Sequence, residues 1–116
     1  MGAGMTSAFD PTTLNRLLQL AGPDFAGELL RRLHDDLTTV ANRMTADATD
    51  CAVVQAQCHV LIALAGTAGA PDLHADADRL HQLALDRDTA GMAALLPAVV
   101  RATHDLIRAI AGASPP

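Results

Sequence analysis

Lysine, tryptophan and tyrosine are absent from this 116-residue chain, and Phe9 and Phe25 are its only aromatic residues. Half of the residues are nonetheless apolar. An interior of Ala, Leu, Val and Ile with almost no rings suits helices packed at close range better than a sandwich or barrel. All eight basic residues are arginines and the net charge is −5. That balance argues against a nucleic-acid phosphate backbone as partner. Cysteine is scarce too. Cys51 and Cys58 stand two helical turns apart, a rise of roughly 10 Å, which a disulfide cannot span. They read as buried free thiols in a reducing compartment. The opening M-G-A-G-M-T-S-A has neither the basic nor the apolar region of a signal peptide. The expected location is the cytoplasm.

The longest absence is of charge. Between Asp50 and Asp72 there are 21 residues without one Asp, Glu, Lys or Arg. This run is long enough to raise the question of a membrane span. Gln55, Gln57, His59, Thr67 and two glycines make it a poor one, and no aromatic belt frames it, so no membrane partner is expected. A surface helix normally carries charge on its wet side. Here small residues, two glutamines and one histidine take that place.

What is present gives helices. A chain of this length forms one domain with its own core. Asp10-Pro11 reads as N-cap and first helical position, opening a short helix through Thr12, Leu14, Leu17 and Leu18 that stops at Gly22. Pro23 starts the next, with Phe25, Leu29, Leu30, Leu33, Leu37, Val40 and Met44 on its apolar side. Asp50 caps the third helix, which Gly69 and Pro71 end. The fourth runs from about Pro71 to Asp86 with Leu73, Ala77, Leu80 and Ala84 inward. The fifth runs from Thr89 to about Ala111 with Met92, Leu95, Leu96, Val99, Thr103, Leu106 and Ile110 inward. Pro97 is expected to kink that helix or split off its first turns. No strand pattern is found. The fold class is all-α: an antiparallel up-down four-helix bundle with a short extra N-terminal helix as a lid. Residues 10–111 make the domain, after a flexible N-terminus over 1–9 and before a frayed tail over 112–116. The bundle is expected to be complete in one chain, a monomer.

At about 100° per residue, Val54, Cys58, Leu61, Ala65 and Ala68 form one stripe of the third helix. If that stripe faces the core, His59 points roughly 140° away. Gln55, Ile62 and Gly66 flank it, and Ala63 lies on the same outer side. A histidine in that position is commonly an inconsequential surface residue. The setting of His59 sets it apart: a bare, narrow helix face around a lone nucleophile suits docking against another protein.

The segment Cys58-His59-Val60-Leu61-Ile62-Ala63-Leu64-Ala65-Gly66-Thr67-Ala68-Gly69-Ala70 resembles the signature of histidine-containing phosphotransfer domains, roughly A-H-x-L-K-G-x-A-G-x-x-G. His59, Leu61, Ala65, Gly66 and Gly69 fall on the matching positions. The likeness extends to the opening F-D-P-T-T-L-N-R-L-L-Q-L-A-G-P-D-F-A-G-E-L-L-R-R-L. It continues through A-D-R-L-H-Q-L-A-L-D-R-D-T-A-G-M-A-A-L-L-P, with Asp88 at the acidic turn position. The family commonly has lysine three residues after the histidine and glycine four after it; this chain has Ile62 and Ala63. His81 stands where a glutamate commonly follows the leucine of the fourth helix.

The resemblance implies a helical bundle in a two-component phosphorelay of the bacterial kind. His59 would accept a phosphoryl group from a receiver-domain phospho-aspartate or pass one on. Gln55, Val60, Ile62, Ala63 and Gly66 would meet a response-regulator receiver domain or a sensor histidine kinase. The protein would be a relay intermediate rather than a stand-alone enzyme. It would need no cofactor of its own, since the receiver supplies Mg²⁺.

Two other classes stay open. One keeps the docking face and binds a receiver or kinase without carrying phosphate. The other is a bundle with an unrelated role in subunit interaction or metal binding. For the metal, His74, Asp78 and His81 share one flank of the fourth helix, a spacing common by chance and lacking a fourth ligand. His34 and His104 read as surface residues. No nucleophile motif, phosphate-binding glycine loop or paired-carboxylate arrangement is recognisable.

Overall fold

A computed structural model describes residues 10–113. The expected flexible segment over 1–9 and residues 114–116 of the expected tail lie outside that range. Five helices and no strand are found among the described residues: α1 (Pro11–Ala21), α2 (Pro23–Ala46), α3 (Cys51–Ala68), α4 (Pro71–Leu85) and α5 (Thr89–Ala111).

Local chemistry explains the boundaries. Asp10 accepts from the Thr12 N–H at 2.9 Å, satisfying one of the free donors at the start of α1. Gly22 has φ 83°, a conformation open to glycine at little cost, and it separates α1 from α2. Asp50 accepts from both Ala52 and Val53 N–H at the start of α3. Asp88 accepts from Gly91 N–H at the start of α5. Proline opens α1, α2 and α4, where its missing N–H costs nothing.

The helices assemble by burying one stripe each. α3 packs against α2 and α4, and α5 packs against the same two; α1 lies across α2 and α3. Leu14 and Leu18 of α1, Leu33, Leu37 and Met44 of α2, and Val54, Cys58, Leu61 and Ala65 of α3 are buried. Leu80 of α4 joins them, with Val99 and Leu106 of α5. Ion pairing contributes little. Arg31–Glu28, Arg79–Asp76 and Arg108–Asp105 are exposed pairs within single helices, each worth at most ~1 kcal/mol.

Four sequence expectations are corrected. Phe25 is 66% exposed, because Ala26, a step of about 100° further round, takes the inward position of α2 and starts the Leu30–Leu33–Leu37 row. Gln57 is only 9% exposed. It sits three residues after Val54 and four before Leu61, so it falls on the shoulder of the buried stripe rather than the wet face. Cys51 is half-buried, not buried; its thiol lies 3.6 Å from the Met92 sulfur. Pro97 does not split α5, which is continuous from Thr89 to Ala111. Pro97 itself is exposed, while Leu96 and Val99 beside it are buried.

Candidate functional site

α3 decides what the site can be. It has the length and hydropathy of a membrane-crossing helix, yet one stripe of it is fully buried against neighbouring helices. The opposite side is uncharged and built from short side chains. His59 stands there, exposed, near the middle of the helix. Leu61, buried two residues on, and Cys58, buried immediately before, fix the rotation of the helix and hence the direction of the imidazole. Both of these neighbours are completely covered.

The expected partner-facing residues divide by exposure. Val60, Ala63 and Gly66 are exposed, whereas Gln55 and Ile62 are half-buried. Ile62 also packs against the core, so it presents only an edge to solvent. Gly66 keeps the surface low: a methyl group there would lie 3.6 Å from the His74 ring, in ordinary contact.

A shallow groove runs beside His59, lined by Ala52, Gln55 and Ala56 of α3 and by His81 of α4. The His59 and His81 ring centroids are 6.5 Å apart, with planes inclined by 41°. Further along, Gly66 of α3 meets His74 of α4. Later residues of α3 thus meet earlier residues of α4, so these two helices run antiparallel. The pairing of His59 with His81 is not visible in the sequence, because helical periodicity gives each buried stripe but not the register between two stripes.

Cys58 borders His59 in sequence but points into the core, and burial pushes its thiol up from 9.0 to about 12. A thiol so protonated is a poor nucleophile. Among the described residues no group of three or more His, Cys, Asp and Glu is arranged to hold a metal ion. His74, Asp78 and His81 are therefore not gathered into a ligand set. His34 lies beside Asp35 on α2, and His104 lines a separate groove with Leu96, Pro97 and Val100.

Compared with known proteins, the chain matches no family model, and no curated protein or solved structure shows significant similarity to it.

Proposed function

We propose that this protein is a phosphorelay carrier that holds a phosphoryl group on His59 and exchanges it with the receiver domain of a response regulator. The observation that supports this best is the exposed imidazole at mid-helix, among short uncharged side chains, on a helix whose other side is locked in the core. Little else is required of a carrier, since phosphoryl transfer depends mainly on positioning and on charge stabilisation. The unprotonated Nε2 of His59 attacks phosphorus in line. A P–N bond forms as the acyl P–O bond breaks, and the receiver's aspartate leaves as carboxylate. The receiver brings the Mg²⁺ that stabilises this charge. Val60, Ala63 and Gly66, with the exposed edge of Ile62 and the Gln55 amide, form the docking surface.

The same reading includes the architecture: α2 to α5 as an antiparallel up-down four-helix bundle with α1 as its lid. The packing of α2 and α4 each against both α3 and α5 supports it. It also takes the working protein to be a cytoplasmic monomer.

A second reading has one observation in its favour. Ile62, one turn from His59, is apolar and half-buried where a cation could hold phosphoryl oxygens. On that ground the protein docks a receiver or a sensor kinase without carrying phosphate. Incubation with a phosphorylated receiver separates the two: a carrier acquires acid-labile label, and a docking module forms a complex without label.

A further inference from the structure

We propose that His81 is the charge partner of the phosphorylated site, donating from a ring N–H to an oxygen of the phosphoryl group on His59. This rests on the carrier reading above and adds to it a residue from a different helix. A phosphoryl group carries a charge of about −1.5 to −2 at pH 7 and needs donors around it. α3 offers no cation, since its residues include no lysine or arginine. In the groove beside His59, the side chains able to donate are Gln55 and His81, and only His81 can become positively charged. Its ring centroid is 6.5 Å from that of His59. A charge-assisted hydrogen bond spans about 2.8 Å, so a phosphoryl group seated on one ring lies within reach of the other.

Apart from the two imidazoles, no titratable side chain lines the groove that His59 and His81 share. From α3 it faces His59 and the uncharged Gln55, Ala52 and Ala56. On α4, the exposed Asp78 stands one turn before it, while Arg79 pairs with Asp76. α5 also packs on α4, but its Arg101, His104 and Arg108 line a groove with Thr45 and Ala48 of the α2 side. Asp105 pairs with Arg108, and Asp88 is engaged at the α5 N-terminus. Phosphorylation of His59 places negative charge beside His81 and favours its protonated form, so that toward pH 6 His81 offsets part of the acid lability of the phosphohistidine. His81 thereby makes retention of the phosphoryl group depend on pH near neutrality.

The test loads His59 from phosphoramidate, whose P–N bond breaks with departure of ammonia, or from a phosphorylated receiver. NMR follows the His81 ring before and after loading. Its titration midpoint should move up by roughly half a pH unit to one, with no movement in His59→Gln given the same treatment. At pH 6 the phosphohistidine of wild type should outlast that of His81→Ala by up to about five-fold, an exposed-pair effect, and the difference should shrink at pH 8. His81→Arg should restore the longer lifetime at both pH values. An unmoved His81 titration in the loaded protein, or equal lifetimes at pH 6, overturns the role of His81 alone. Absence of label on His59 from either source overturns the carrier reading and this one with it.

Discussion

The backbone N–H of Asp10 donates to the carbonyl of Gly69 at 2.6 Å, which ties the start of α1 to the end of the helix that carries His59. Gly69 has φ 82° and closes α3 in the left-handed conformation, where a side chain is strained. Space is also lacking: a methyl group there would lie 2.6 Å from the Thr13 Cβ and 2.9 Å from the Asp10 carbonyl oxygen. Gly69→Ala should therefore cost about 1–3 kcal/mol and loosen α1. Urea unfolding checks the loss. Hydrogen exchange should rise first over residues 10–21.

At the other end of α3, Asp50 satisfies two backbone donors. Asp50→Ala should lower stability by about 1 kcal/mol, measurable as a fall in thermal midpoint. Asp50→Asn, which keeps an acceptor oxygen, should recover most of it.

The core cysteine gives a pH dependence with a definite sign. Cys58 has its thiol raised from 9.0 to about 12 by burial, so the folded state holds a proton that the unfolded chain releases. Its contribution is intact below about pH 9 and declines as pH rises toward 12, by up to about 1.4 kcal/mol per pH unit. Wild type should lose stability between pH 9 and 11 faster than Cys58→Ala. Native protein should also react with thiol reagents at Cys51 well before Cys58.

Helix limits were legible in the sequence wherever a cap residue carries the signal. Asp10 and Asp50 begin two helices, and Gly22 and Gly69 end two, as read; the cap at Asp88 is seen only in the structure. Core membership followed from periodicity for Leu61, Leu80 and Leu106. It failed for Phe25 and Gln57, where hydrophobicity outweighed angle: the phenylalanine is apolar but off the stripe, and the glutamine polar but on its shoulder. The exposure of His59 was legible from the stripe opposite it. The approach of His81 was not, because register between packed helices is settled by side-chain interdigitation that neither helix encodes alone.

Substitutions on the proposed docking face should separate folding from function. Ile62 packs against the core, but a lysine stem can lie along the same apolar surface with its amine in water. Ile62→Lys should cost less than about 1.5 kcal/mol and lengthen the phosphohistidine lifetime by up to about five-fold. Ala63 is exposed, so Ala63→Asp should leave stability within about 0.5 kcal/mol while weakening receiver binding. Melting curves and titration against a receiver check both.

The central claim is that His59 carries phosphate, and transfer from a phosphorylated receiver domain tests it most directly. Wild type should acquire label that survives alkali and is lost in acid. Peptide mapping should place that label on Cys58–Ala70, and His59→Gln should acquire none while keeping its helical content. Binding of the receiver with no label on wild type, or equal label on His59→Gln, would contradict the account.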